Sequence, residues 1–204
     1  TLKACGSMGA TEKGEKIHEE IVAHGLIEKD LIVANAVIDM YTSFGFVQKA
    51  QEVFNQLPVQ NAVSWTSLIA GYAEHGEGEK ALECFEQMQL ENVPPNAGTY
   101  IYFLKSCGSI GSLEHGQRIH ANIVQDQLEE DLFIGNNLVD MYGKFQLLNE
   151  ALEVFEELPI RDDVSWNFLI DGYGHEGKDN EVYIVLKRCH MKLYLLILYS
   201  LFLS

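Results

Sequence analysis

The residues of this chain that could do chemistry are its seven histidines, four cysteines and 30 carboxylates. The question is whether any of them stand at catalytic or metal-binding spacing. Two triplets do in part. His18-Glu19-Glu20 and His75-Gly76-Glu77 both read H-x-E, the spacing by which a zinc deaminase sets one metal ligand beside a proton-shuttling carboxylate. Such a site also needs C-x-x-C, and Cys5, Cys84, Cys107 and Cys189 lie 79, 23 and 82 residues apart. No zinc knuckle and no redox pair can form from them. Cysteines so widely spaced are expected to be buried free thiols in a reducing compartment. Gly76-Glu77-Gly78-Glu79-Lys80-Ala81 fits the dinucleotide fingerprint G-x-G-x-x-A, but that loop must follow a strand, and here a helical pattern precedes it. No nucleophile has a base at a recognisable spacing. The sequence predicts no enzyme, no metal and no cofactor.

The elements that carry these residues repeat. Val63-Ser64-Trp65 recurs as Val164-Ser165-Trp166, an offset of 101. Ile38-Asp39-Met40-Tyr41 recurs as Val139-Asp140-Met141-Tyr142, and Ala50, Val53, Phe54, Leu57 and Pro58 recur as Ala151, Val154, Phe155, Leu158 and Pro159, at the same offset. Leu2-Lys3-Ala4-Cys5-Gly6-Ser7 matches Leu104-Lys105-Ser106-Cys107-Gly108-Ser109 at 102. Four matched blocks in order mark an internal repeat. The period divides into units of 35, 35 and 31 residues, Ala62–Asn96, Ala97–Asp131 and Leu132–Asp162. His18 and His120 are repeat-equivalent, which makes them scaffold positions. Trp65 and Trp166 are likewise expected to be packing residues.

Each unit reads as two helices. Ser64 is the expected N-cap of a helix over Trp65–Glu74. His75-Gly76-Glu77-Gly78 forms the turn, and Glu79 stands at the positive end of the next helix. Ala81, Leu82, Phe85 and Met88 make one apolar stripe, and Pro94 and Pro95 end that helix. Two short helices cannot bury their stripes alone, so neighbouring units must stack. The expected fold is all-α, a right-handed superhelical solenoid of tandem helix-turn-helix repeats with one concave face.

The phrases LKACGSMGA and LKSCGSIGS with GEKIH and GQRIH, NAVIDMYTSFG and NLVDMYGKF with VFNQLP and VFEELP, and VSWTSLIAGYAEHG with ALECFEQM resemble the long, short and standard repeats of plant pentatricopeptide repeat proteins. The resemblance covers residues 1 to about 180. In its register residues 1–30 are a truncated long repeat, 31–61 short, 62–96 standard, 97–131 long, 132–162 short, and 163–181 the start of a standard repeat.

That family reads single-stranded RNA one base per repeat. The resemblance implies that the fifth and last residues of each repeat meet the base edge. Here these are Asn35 with Asn61, Thr66 with Asn96, Ile101 with Asp131, and Asn136 with Asp162. An amide can donate and accept whereas an ionised carboxylate only accepts, which suits the N3–H of uracil. Thr with Asn is the usual adenine pair of that family, and the resemblance implies a target that runs pyrimidine, adenine, weakly specified, then uracil. Ile101 has no edge-reading group. Second-position residues would flank the bases, which points to Ile32, Val63 and Phe133; Gly98 departs from the pattern. The implied role is the specificity part of a C-to-U editing factor in mitochondria or plastids, with single-stranded RNA and other editing-factor proteins as partners and catalysis supplied elsewhere.

Net charge opposes this reading. At −16 the chain lacks the Lys and Arg that phosphate neutralisation requires, and the acidity suits a protein-interaction scaffold of the helical-repeat type. That rival lacks its own marks, a 34-residue spacing and the phrase W-x-x-L-G-x-x-Y. In a solenoid the charge can sit on the convex face.

The chain starts at Thr1 and is expected to be a fragment without its targeting segment. Residues 182–204 break the repeat pattern. Leu193–Leu203 is an apolar run shorter than the roughly 20 residues of a membrane span, which leaves a membrane anchor, a buried capping helix, or the non-native end of a truncated reading frame; the last is the expectation, with no membrane partner.

Overall fold

The computed structural model describes residues 11–175 and residue 187; the divergent segment 182–204 otherwise lies outside them. The described residues form α-helices joined by turns, with no strand among them. They belong to two compact units divided after Ile110. The first holds α1 (Thr11–Ala23), α2 (Leu26–Lys29), α3 (Leu31–Ser43), α4 (Val47–Asn55), α5 (Ala62–Glu74), α6 (Gly78–Leu90) and α7 (Ala97–Ile110). The second holds α8 (Leu113–Gln125), α9 (Leu132–Lys144), α10 (Leu148–Glu157) and α11 (Asp163–His175).

Packing follows the helix-pair pattern in both units. In the first, α3 packs on α4 and α5 on α6, while α5 also packs on α3 and α7. In the second, α9 packs on α10 and on α11. Helices α3, α5, α7, α9 and α11 begin at Leu31, Ala62, Ala97, Leu132 and Asp163.

The start of α5 differs from expectation. It begins at Ala62, and its N-cap is Asn61, whose Oδ1 accepts from the backbone N–H of Val63 and Ser64. Ser64 is the third helical residue and not the cap. Its hydroxyl accepts from the Asn61 backbone N–H at 2.9 Å, which closes a capping box. Asp30 and Asp131 cap α3 and α9 in the same way, each through Oδ1. Carboxamide and carboxylate oxygens make strong N-caps because they satisfy two of the orphan donors of the first turn.

The turns also carry the repeat. Gly45 joins α3 to α4 with φ of 79°, and its counterpart between α9 and α10, Gln146, has φ of 60°. Glycine takes that left-handed conformation freely and glutamine does not. Past α6 the chain turns at Asn92, φ of 56°, so that helix stops at Leu90, ahead of Pro94 and Pro95.

The predicted stripe is the core. Ala81, Leu82, Phe85 and Met88 are all buried, and the Phe85 ring centroid lies 4.2 Å from that of Phe103. Trp65 packs edge-on to Phe54 at 4.5 Å and Trp166 to Phe155 at 4.7 Å, so both tryptophans are packing residues. His18 Nδ1 bonds the Tyr41 hydroxyl at 2.8 Å, and His120 Nδ1 bonds that of Tyr142 at 2.9 Å. Tyr41 thereby ties α3 to α1, and Tyr142 ties α9 to α8. Cys84 is half-buried and Cys107 buried, and neither forms a disulfide; burial pushes the Cys84 thiol up to about 12, which disfavours its thiolate. Cys5 and Cys189 lie outside the described residues.

Candidate nucleic-acid interface

The first helices of the first unit leave a cavity of about 400 Å³ between α3, α5 and α7. Val63, Thr66 and Asn96 line it together with Asp39, Glu74 and Tyr102. The cavity follows from helix periodicity, since the buried stripe of α5 faces its neighbours and leaves Val63, Thr66, Ala70 and Glu74 along the open side.

Two of the sequence-derived pairs meet directly. Asn96 Nδ2 donates to Thr66 Oγ1 at 3.1 Å. Asn136 Nδ2 donates to Asp162 Oδ1 at 3.2 Å. Asp162 is held below the usual carboxylate range, first by the backbone N–H of Ser165, then by the Ser165 hydroxyl and the Asn136 amide, against the opposing effect of burial. It is therefore an anion and an acceptor at neutral pH. Asn136 is 3 % exposed, and its Oδ1 has no hydrogen-bond partner.

The remaining candidates are placed differently. Asn35 is half-buried with Oδ1 unpartnered, while Asn61 is occupied as the cap of α5. Ile101 lies half-buried on α7 in the first unit, and Asp131 caps α9 in the second. The flanking positions carry large apolar side chains in the open: Ile32 is 81 % exposed, Phe133 69 % and Val63 52 %. Sequence reasoning missed Val164, which is exposed at the same position of α11. The Val-Ser-Trp recurrence held that signal.

The electrostatics of the first helices are mixed. Across α3, α5, α7, α9 and α11 the basic side chains are Lys105 and Lys144. Lys105 is exposed, with its ammonium 5.4 Å from the Tyr102 ring centroid. Lys144 is paired with Asp140 at 2.6 Å. Lys49 and Lys80 are on second helices and pair with Glu15 and Glu77, each at 2.5 Å. Tyr102 is raised above the usual phenol value by burial and then by the Glu74 carboxylate. First helices with so few free cations are ill suited to a stack of phosphates.

Neither H-x-E triplet builds a metal centre. His18 faces Tyr41, and His75 Nε2 bonds the Thr42 carbonyl at 2.7 Å. No cluster of His, Cys, Asp and Glu able to hold a metal ion occurs among the described residues. Among those residues no helix is long and apolar enough to cross a membrane.

Comparison with known proteins places this architecture. The PPR repeat family model matches residues 60–109, and the PPR repeat model matches residues 32–61, 136–162 and 164–192. Pentatricopeptide repeat-containing protein At5g27110 of Arabidopsis thaliana is 34% identical over 92% of this chain. Pentatricopeptide repeat-containing protein At4g18520, chloroplastic, from the same plant is 35% identical over 86%. The chain spans 27% and 28% of the lengths of those two relatives. Among solved structures, the pentatricopeptide repeat protein PPR10 in complex with an 18-nt psaJ RNA element superposes with a TM-score of 0.74 at 16% identity, covering 94% of this chain and 29% of that one. The pentatricopeptide repeat domain of Arabidopsis thaliana protein-only RNase P 1, in complex with tRNA, gives 0.60 at 15% identity over 76% of this chain and 86% of that one. The fold is that of the helical-repeat solenoids. With the repeat models matched along both units, the chain belongs to the pentatricopeptide repeat family.

Proposed function

We propose that this chain is a single-stranded RNA-binding module that reads sequence, the specificity part of a C-to-U editing factor in plant mitochondria or plastids. The observation that carries the reading is the convergence of Thr66 with Asn96, and of Asn136 with Asp162, beside the exposed side chains of Val63 and Phe133. Polar edge-readers next to apolar flanks are what a splayed-out base requires. The repeat register with its alternating long, short and standard units supports the editing assignment, and the RNA-bound structural neighbours support RNA binding. Relatives named as chloroplastic and mitochondrial support the compartment.

Asn35/Asn61 reads a pyrimidine in this scheme, Thr66/Asn96 adenine, Ile101/Asp131 discriminates weakly, and Asn136/Asp162 reads uracil. Ile32, Val63 and Phe133 clamp the bases. The rival protein-interaction scaffold draws on the net charge of −16, and it makes the opposite forecast about RNA. The test is fluorescence anisotropy at low salt with a short RNA carrying these bases, comparing the wild type with Asn96→Asp. The carboxylate caps α7 as well as the amide does but presents an acceptor in place of a donor. Preference at that one base should move from adenine towards guanine by about tenfold, the worth of one hydrogen bond with a charged partner. A wild type that binds no RNA refutes the proposal and favours the scaffold.

A further inference from the structure

The last residue of each complete repeat caps the next helix, and in the reading proposed above it is also a base-edge residue. Asn96 Oδ1 accepts from the backbone N–H of Thr99 at 3.1 Å, which turns its amide nitrogen away from α7. One proton of that nitrogen goes to Thr66 Oγ1 at 3.1 Å, and one is left over. The Thr66 hydroxyl donates to the Ala62 carbonyl at 2.6 Å. Its 2.7 Å bond with Thr99 Oγ1 must then be donated by Thr99. With one donation and two acceptances the Thr66 hydroxyl is saturated. Thr99 Oγ1 in turn accepts from the Asn96 backbone N–H at 3.1 Å. Thr99 is fully buried at 0 % exposure, and it touches both members of the pair.

A buried hydroxyl that accepts from the backbone N–H of the cap recurs at the other polar pairs. Ser165, also 0 % exposed, donates from both its backbone N–H (2.8 Å) and its hydroxyl (2.9 Å) to Asp162 Oδ1, and its oxygen accepts from the Asp162 backbone N–H. Asn136 joins them on that same oxygen. Ser64, again 0 % exposed, accepts from the Asn61 backbone N–H and donates to the Asn61 carbonyl, while Asn61 Oδ1 accepts from the first turn of α5. Asp131 is the contrast. Its repeat has Ile101 at the fifth place, the third residue after it is Ile134, and its Oδ1 is bound by the backbone N–H groups of Phe133 and Ile134 alone. The buried hydroxyl accompanies a fifth residue with a polar edge and is missing where that residue is aliphatic.

We infer that Ser64, Thr99 and Ser165, the third residues of the following repeats, are positioning residues for base reading: each locks the preceding cap so that an asparagine shows the base a donor and an aspartate an acceptor. The inference rests on the RNA-reading function proposed above. Thr66, saturated, then acts through Asn96 and not on the base directly. Discrimination at one base is set across a repeat boundary, by three residues instead of two.

The experiment measures the affinity of the full chain for RNA panels varied at one base at a time. Thr99→Val keeps the shape of the side chain and removes the hydroxyl; Thr99→Ser keeps the hydroxyl. Thr99→Val should lose at least fivefold of the adenine discrimination at the Thr66/Asn96 base while the uracil preference at Asn136/Asp162 stays, and Thr99→Ser should retain both. Ser165→Ala should do the reverse, with uracil preference lost and adenine preference kept, which guards against a Thr99→Val chain that fails to fold. Undiminished discrimination in either hydroxyl-less variant overturns the inference alone. So does an equal loss at both bases. A wild type with no base preference overturns the proposed reading and this inference with it.

Discussion

Helix α5 crosses α3 at Gly71, and replacing that glycine sets two effects of known size against each other. A Cβ built there would lie 2.9 Å from Thr42 Cβ and closer still to Thr42 Cγ2. Alanine in a helix interior gains about 0.5–1 kcal/mol over glycine. Overpacking a fitted contact costs about 1–3 kcal/mol. The outcome depends on whether Thr42 can move. It is β-branched and stiff at χ1, 8 % exposed, and its hydroxyl donates to the Asp39 carbonyl at 3.0 Å. It has nowhere to turn, so overpacking wins, and Gly71→Ala should lose about 1–2 kcal/mol net, a fall of roughly 2–8 °C in melting midpoint for a chain of this size. The second unit shows the other solution. There Gly143 stands in the place of Thr42 and faces Gly172, whose added Cβ would be 3.1 Å from the Gly143 Cα. Thr42→Gly introduced with Gly71→Ala should therefore restore most of the loss, with a coupling of about 1 kcal/mol or more in a double-mutant cycle. Urea unfolding followed by helical circular dichroism measures all four chains. A Gly71→Ala chain more stable than the wild type, or strictly additive effects, would refute the reasoning.

Two further outcomes can be measured with the same protein. Burial lowers His18 and His120 below 6.5, aided at His18 by the Lys49 charge and opposed at His120 by Glu157 and Glu129. The unfolded chain then binds more protons as pH falls from 6.5 through the lowered folded values, so stability drops over that window; His18→Gln with His120→Gln should flatten the slope of the urea midpoint between about pH 7.5 and 5.5. RNA binding should be only weakly salt-dependent, because Lys105 is exposed and Lys144 is already paired with Asp140 on the described first helices. With about one or two phosphates neutralised, log affinity against log salt should have a slope of roughly −0.7 to −1.4; a slope steeper than about −4 would mean that a basic surface outside these helices dominates.

What could be read from the sequence, and what could not, divides along a physical line. The stripe Ala81, Leu82, Phe85 and Met88, the packing roles of Trp65 and Trp166 and the scaffold roles of His18 and His120 are legible because burial imposes a period, and a period survives in a single chain. Caps impose none. Ser64 has the residue type of an N-cap, but so does Asn61 three residues earlier, and in a capping box the hydroxyl residue stands inside the helix when the cap is an amide. Residue preference alone cannot rank the two. The roles of Thr99 and Ser165 were hidden for the same reason, since a buried hydroxyl at the third helical position looks like any small residue of the core until its partners are placed in space.

Net charge is legible in the sequence, but its distribution over faces is not. A net −16 argues against nucleic acid when the charge is taken as a single sum, yet a sum says nothing of faces. The first helices carry Asp39, Glu74, Asp140, Asp163 and Asp171 against Lys105 and Lys144, so the acidity is not confined to the second helices and the first helices of neither unit are a phosphate-binding surface. What each unit does offer is a set of directional hydrogen-bonding groups oriented by its own helix caps, with Ile32 and Val63 in the open in the first unit and Phe133 and Val164 in the second. Preorganised groups lose little entropy on binding, whereas counterion release contributes affinity without regard to sequence. On the proposed reading a module of this kind trades affinity for discrimination, and a few repeats bind weakly unless neighbouring repeats add their own bases.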